Sequence, residues 1–337
     1  MDPPETANAN GPRAARLRSS RAVTSGSVRA IADVPFRFEA DDPARAAVLE
    51  EFSAAWDPAP VSRADLSIDP VPFHFTSTAL PLPAGAADVT ADDLSFWRLG
   101  DRAFIEDGIR CRGLAEPASI SVSGPARLRN VERVAGTLLG HVLAGMGLVT
   151  LHAAAFLLPN GGTVIAMGPS GAGKSTLAAI ALQLGWRILS DDLCVVRGGT
   201  SLAATGIPRA PTVPAEVASG LDGEVIPGDG DRGRIQLPVS VLQRGWHPVV
   251  ALLHIAHSDT VTSVIESRGP RALLTDVLHG QTGSLSPAHV RSLLPMCAAM
   301  ARLPGFDLHH GRDTVERAAS TAECLVTLER TVGGAPV

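Results

Sequence analysis

Upstream of residue 128 the apolar positions mostly alternate. Pro35–Ala40 (PFRFEA) places apolar side chains at every second position, the period of a half-buried strand. Asp42 then opens a short amphipathic helix that runs to about Trp56. Residues 57–93 are rich in Pro and Ala, with one strand candidate at Val71–Ser77. Three further β-like runs follow, Ser95–Leu99, Ala103–Ile109 and Ser119–Ser123, punctuated by Gly and Pro as turns require. This pattern predicts a small, mostly β, α+β region over 35–127.

From residue 128 the period changes. Leu128, Val131, Val134, Leu138, Val142 and Met146 recur at three- and four-residue steps, one face of a helix over 128–147. Leu151–Leu158 and Thr163–Met167 (TVIAM) are apolar runs bounded by a Pro-Asn-Gly-Gly turn, as expected of buried strands. A helix at about 173–184 and strands at Arg187–Ser190 and Leu193–Arg197 come next. His247–Ala256 and Val261–Glu266 read as strands, 268–279 and 286–302 as helices, Phe306–His309 as a strand and Thr314–Arg330 as a closing helix. There is no internal repeat. Strands with flanking helices predict an α/β domain over 128–337. The most apolar stretch, Val142–Leu158, is shorter than a typical membrane span and contains His152, so it reads as a buried passage from helix to strand.

Composition narrows the class. The 337 residues are 45% hydrophobic, enough for a sizeable core, and the formal net charge of −5 gives no global pull toward nucleic acid or an anionic membrane. Neither is expected as a partner. The four cysteines, Cys111, Cys194, Cys297 and Cys324, have no CxxC spacing. They read as small buried hydrophobes in a reducing, cytoplasmic protein. Residues 1–34 read as a disordered tail. Five arginines lie within 1–29 without an apolar core segment, which argues against a secretory leader, and Asp2 and Glu5 argue against a transit peptide. Of 29 basic residues only one is a lysine, Lys174. Against a bias that replaces Lys with Arg, a retained ammonium points to a compact point charge that a planar guanidinium cannot replace.

That lysine lies in Gly168-Pro169-Ser170-Gly171-Ala172-Gly173-Lys174-Ser175-Thr176, which fits the Walker A pattern G-x4-G-K-[ST]. The glycines let successive backbone N–H groups converge on an anion. The helix that follows adds its unpaired N–H groups and positive dipole end. Lys174 would reach the β- and γ-phosphates of ATP, and the Ser175 hydroxyl would ligate Mg²⁺. An apolar strand before the loop and a helix after it supply the required context.

Asp191 and Asp192 end the strand after that helix, seventeen and eighteen residues past Lys174. Adjacent carboxylates repel unless a cation sits with them. In a nucleotide site that cation is Mg²⁺, with one carboxylate serving the metal and the other accepting a proton from an attacking hydroxyl. The alternative is a pair that caps a turn before the next strand.

Three segments in this order resemble the HPr kinase/phosphorylase superfamily, whose fold is related to ATP-dependent phosphoenolpyruvate carboxykinase. They are Leu151-His152-Ala153-Ala154-Ala155, the loop Gly168–Thr176, and the ungapped run from Leu177 to Asp191-Asp192. The likeness covers about 150–270. It implies a P-loop-containing HPr kinase/PEP carboxykinase-like core, with His152 near the γ-phosphate, Asp191 as general base, and Asp192 supporting Mg²⁺. For His152 a satisfied core histidine is the competing reading, since its neighbours are apolar. Thr176 stands where the family has an acidic residue, and the Gly-rich signature tied to phosphorylase activity has no counterpart. The layout is closer to stand-alone HPr-kinase-like proteins, including those that phosphorylate ribosomally made peptides such as lasso-peptide precursors. Members often form hexamers, which admits a homo-oligomer.

Arg209, Arg232 and Arg234 lie in Gly/Pro-rich loops, where they would clamp a phosphate in transfer or simply be solvated. The leading expectation is an ATP- and Mg²⁺-dependent kinase acting on a serine or similar hydroxyl of a peptide or small protein. A small-molecule hydroxyl kinase and a P-loop ATPase or nucleotide-gated regulator without a phosphoacceptor are the alternatives.

Overall fold

The computed structural model describes residues 24–58, 69–85, 87–91, 94–108, 111–226, 233–258, 262–281, 287–310 and 314–333. The chain is mixed α/β. Its N-terminal part comprises β1 (Thr24–Ile31), β2 (Val34–Ala40), α1 (Pro43–Ser53), β3 (Asp57–Pro58), β4 (Val71–Thr76), β5 (Val89–Ala91), β6 (Leu94–Leu99), β7 (Arg102–Asp107), β8 (Cys111–Glu116) and β9 (Ser119–Ser123). These strands form one nine-stranded sheet in the order β3-β1-β2-β4-β9-β8-β7-β6-β5. Asp42 caps α1 by accepting a hydrogen bond from the Arg45 backbone N–H at 2.9 Å, which satisfies one of the helix's free donors.

The strand β1 corrects the expectation of disorder for residues 24–31. It pairs with β2 through a two-residue turn at Ala32-Asp33, both at positive φ (52° and 64°). Such a turn matches the strand twist, but its usual signature is Asn-Gly or Asp-Gly, which is absent here. The strand β8 is a second addition. Its inward residues Cys111, Gly113 and Ala115 are too small to register as an apolar stripe. The rest of the tail, residues 1–23, lies outside the described residues.

α2 (Leu128–Gly145) lies across the sheet, and Val131, Val134, Leu138 and Val142 are buried in a core shared with Phe36, Phe73, Ile105 and Ile120. α2 therefore covers the N-terminal sheet while leading into the following strand, with Val195 of the next unit packed in the same cluster.

The C-terminal part comprises β10 (Val149–Leu157), β11 (Thr163–Met167), α3 (Lys174–Gln183), β12 (Arg187–Ser190), β13 (Leu193–Arg197), β14 (Ala203–Gly206), β15 (Thr212–Pro214), β16 (Glu224–Ile226), β17 (Arg234–Gln236), β18 (His247–His257), β19 (Val264–Ser267), α4 (Pro270–Gly280), α5 (Pro287–Met300), β20 (Gly305–His310) and α6 (Thr314–Gly333). The short strands β14 to β17 carry too few residues to show a period and were not expected. The central strand β11 pairs antiparallel with β10 and parallel with β18, which in turn pairs parallel with β20. Strand β10 changes partner along its length, from β13 in its first half to β11 and β12 in its second.

Both faces of this sheet are covered, which explains the unbroken apolar runs. Ala154, Phe156, Val164, Ala166, Leu253 and Ile255 face α3 and α6. Ala153, Ala155, Ile165, Met167 and Leu252 face α4 and α5. Strands β15, β17 and β16 form a separate small sheet beside α3. The four cysteines are buried free thiols, and burial pushes those of Cys111 and Cys194 up to about 12. No helix among the described residues is long and apolar enough to cross a membrane.

Candidate active site

The parallel pairing of β11, β18 and β20 brings three carboxyl ends to one edge, where open α/β sheets place ligands. The Gly168–Thr176 loop leaves β11 at this edge and curls into α3. Gly173 caps the helix at φ 105°, a conformation that favours glycine, and a Cβ there would come within 3.1 Å of the His310 ring. His310 thus packs under the loop from the end of β20. His257, at the end of β18, holds the loop from outside, its Nε2 lying 3.0 Å from the Gly171 carbonyl oxygen.

Within the loop, Ala172 is packed into the core, Thr176 is buried and Ser175 is half-buried, whereas Pro169, Ser170 and Gly171 face outward. Lys174 is only 7% exposed, and its Nζ donates to the carbonyl oxygens of Gly168 and Pro169 at 2.8 and 3.2 Å. Burial holds its ammonium below the ordinary lysine range, partly offset by the negative charge of Asp192. A group so placed gains from an arriving polyanion, since phosphate oxygens can replace the two carbonyls.

Registry brings the carboxylates opposite. His152 of β10 pairs with Leu193 of β13, the residue after Asp192. His152 Nδ1 therefore lies 2.9 Å from Asp192 Oδ1, and Arg209, on the segment leaving β14, lies 3.5 Å from Asp192 Oδ2. His152 is thus not a satisfied core histidine. Its flanking neighbours Leu151 and Ala153 both point into the core under α4 and α5, while its own side chain reaches the cleft. The turn itself is held by Ser190, whose hydroxyl accepts from the backbone N–H groups of Asp192 and Leu193.

Asp191 is 6% exposed and accepts a hydrogen bond from the Thr212 backbone N–H at 3.1 Å. Burial pushes its carboxyl above the ordinary range, against the opposing pull of Arg209 and the Thr212 bond. Burial also acts to raise Asp192, but the His152 hydrogen bond and the charges of Arg209, His152 and Lys174 outweigh it, and the net shift is downward. The two neighbours are driven apart, one toward the neutral acid and one toward the carboxylate. Such a split would suit one carboxyl to take up a proton and the other to hold charge.

These groups line a cleft of about 530 Å³ that contains His152, Lys174, Ser175, Asp191, Asp192 and Arg234. Arg234 reaches it through Thr212, donating to that residue's carbonyl oxygen at 2.8 Å while the Thr212 N–H serves Asp191. Arg209 lines the cleft as well. Arg232 lies outside the described residues. Thr212, His257 and His310 were not singled out from sequence. Thr212 acts through its backbone, which no side-chain pattern reports, and the two histidines lie more than eighty residues beyond the loop they support.

The oxygen donors of Ser175, Asp191 and Asp192 are of the type Mg²⁺ selects when it also binds phosphates, so the residue set fits that ion. Among the described residues, no group of three or more His, Cys, Asp or Glu side chains forms a metal-binding cluster of its own. A metal here would take part of its coordination from a ligand. No protein-family model matches the chain, and no curated protein matches it either.

Proposed function

We propose that the chain is an ATP- and Mg²⁺-dependent phosphotransferase that moves a γ-phosphoryl group to a hydroxyl of a peptide or small protein, on an HPr kinase/PEP carboxykinase-like core. The observation that carries this reading is the buried, upward-shifted Asp191 facing Lys174 and Ser175 across one cleft, with Asp192 held ionised beside it. Transfer to a hydroxyl uses one carboxylate on the metal side and a second, enclosed one that takes up the acceptor's proton, and the pair is placed for both.

In this reading the loop N–H groups and Lys174 bind the triphosphate, and Ser175 with Asp192 holds the metal. Mg²⁺ supplies neutralisation of the phosphate charge when bound. Asp191 accepts the proton of the acceptor hydroxyl as its oxygen bonds to the γ-phosphorus and the bond to the β-phosphate oxygen breaks, releasing ADP. Arg209 stands where charge gathers during transfer, and His152 keeps Asp192 oriented.

The test is transfer of label from γ-labelled ATP to hydroxyl peptides. Lys174→Ala should lose ATP binding and transfer together. Asp191→Asn should bind ATP within about threefold of wild type and lose transfer by about 10³-fold or more, the scale of general-base catalysis. Undiminished transfer by Asp191→Asn overturns the role of that residue, and undiminished ATP binding by Lys174→Ala overturns the nucleotide site.

A further inference from the structure

We propose that a second cavity, between the N-terminal helices and the Asp191–Asp192 turn, is the acceptor chamber, and that it selects a hydroxyl residue flanked by apolar and basic residues in an extended peptide. This rests on the phosphotransfer reading and adds where the acceptor binds and what chemistry it carries.

The cavity measures about 430 Å³. It shares Asp191, Asp192, Arg209 and Thr212 with the cleft that holds Lys174, so the two spaces meet at one wall. A nucleotide on the loop side and an acceptor on the helix side would meet at this shared wall, which holds Asp191. Neither space alone presents both partners to that carboxylate.

The far walls come from the N-terminal part of the chain. Phe52 lies in α1, Trp56 just past its end and Leu139 in α2, and Ile207, from the segment after β14 in the C-terminal part, completes the wall. Trp56 is fixed edge-on against Phe36 and Phe38, with ring centroids 5.6 and 5.1 Å away, so this wall is rigid rather than adaptable. An apolar side chain next to the acceptor hydroxyl would fill it.

The charged lining is acidic. Glu51 and Glu132 face the cavity, and Arg209, the one basic residue among its described lining, is already paired with Asp192. Among the described residues, no ion pair engages Glu51 or Glu132. Burial and the nearby Glu51 hold the Glu132 carboxyl above its usual range, against the pull of Arg209, so an incoming cation would be favoured there. Past Ala210, Gln236 and Val239 the cavity continues into a shallower groove of about 410 Å³ that carries Asp222 and Glu224. Acidic groups therefore recur along a track longer than one side chain, which suits an extended peptide with Lys or Arg near the acceptor hydroxyl.

The experiment uses the full chain, γ-labelled ATP and two acceptor panels. One panel holds serine peptides with Leu or Phe beside the serine and either Lys/Arg or Glu/Asp flanks. The other holds free amino alcohols and sugars. Basic flanks should raise kcat/KM by about tenfold or more over acidic ones, the scale of two partly screened charge contacts. Glu51→Gln/Glu132→Gln should collapse that preference, and Ala55→Trp at the chamber wall should raise the peptide KM at least tenfold. ATP-induced thermal stabilisation should persist in both variants, which shows that they fold. Peptide transfer that ignores flank charge and Ala55→Trp overturns the chamber and leaves the phosphotransfer reading standing. Transfer to the small acceptors alone overturns the peptide assignment with the same consequence. ATP binding without transfer in either panel overturns both.

Discussion

Asp191 and Asp192 are adjacent, chemically identical and electrostatically opposite. Asp192 has a folded-state pKa below its unfolded value of about 3.9, so it contributes stability that is fully present above that value and is lost as pH falls through the folded pKa. Asp191 has a raised pKa, so its carboxylate costs stability at neutral pH, and that cost disappears as pH falls and the proton binds. In its proposed role of general base it must be deprotonated, so transfer should decline on the acid side at a pH above that of an ordinary aspartate. Asp191→Asn keeps an oxygen for the Thr212 N–H and removes the buried charge. It should therefore leave Tm at pH 7 equal to or above wild type while abolishing transfer, a separation that calorimetry and a pH–rate profile can check. A Tm lower by several degrees would show that the charged form stabilises the fold, contrary to the burial argument.

At the level of elements, the position of the carboxylates depends on how closely β14 passes the end of β12. A Cβ on Gly206 would fall 1.8 Å from the Leu189 carbonyl oxygen, which neither backbone can accommodate in place. Gly206→Ala should push β12 and its turn away from β14. The expected cost is about 1–3 kcal/mol in urea unfolding, the range for overpacking. Transfer should fall by at least tenfold, because Asp191 moves with the turn. Wild-type transfer in the folded variant would mean that the turn is positioned independently of β14. The register of β10 matters in the same way. A slip of one residue would turn His152 into the sheet core and bring Leu151 or Ala153 toward Asp192. On the far side, Arg268 links Asp276 of α4 to Asp307 of β20 with contacts of 2.6 Å to each, and His254 of β18 joins at 2.9 Å from Asp307. This network ties α4 to the parallel strands that carry the loop's supporting histidines.

For the whole molecule, the site is assembled from distant parts of the chain. Helix α2 belongs to the N-terminal core and leads straight into β10, so the N-terminal sheet and the cleft are joined by a shared hydrophobic cluster. A ligand that binds only the folded cleft should raise the stability of the whole chain. At a hundredfold excess over its Kd, ATP with Mg²⁺ should add about 2.7 kcal/mol. At roughly 2–4 °C per kcal/mol, that is a Tm increase of about 5–10 °C. Removing Mg²⁺ with a chelator should shrink the shift, and Lys174→Ala should eliminate it. No shift with ATP at saturating Mg²⁺ would count against nucleotide binding as a whole.

The elements with strong periods were legible along the chain. The helix near 128–147, the strands TVIAM and His247–Ala256, and the closing helix all appear within a few residues of where they were read, because burial on one or both faces imposes a repeating apolar pattern. The loop, its lone lysine and the aspartate pair stood out as candidates because each is a short contiguous run of residues, and the fold brings them to one cleft. Residue order did not reveal β1, which closes on a turn without its usual residues, or β8, whose inward side chains are small enough to let α2 approach. It could not show that the two aspartates differ, because burial and the approach of Arg209, His152 and Thr212 set their proton affinities. Nor could it show His257 and His310 under the loop, or the second cavity behind Asp191. Those features depend on which strands become neighbours, and tertiary packing makes neighbours of residues that the sequence keeps far apart.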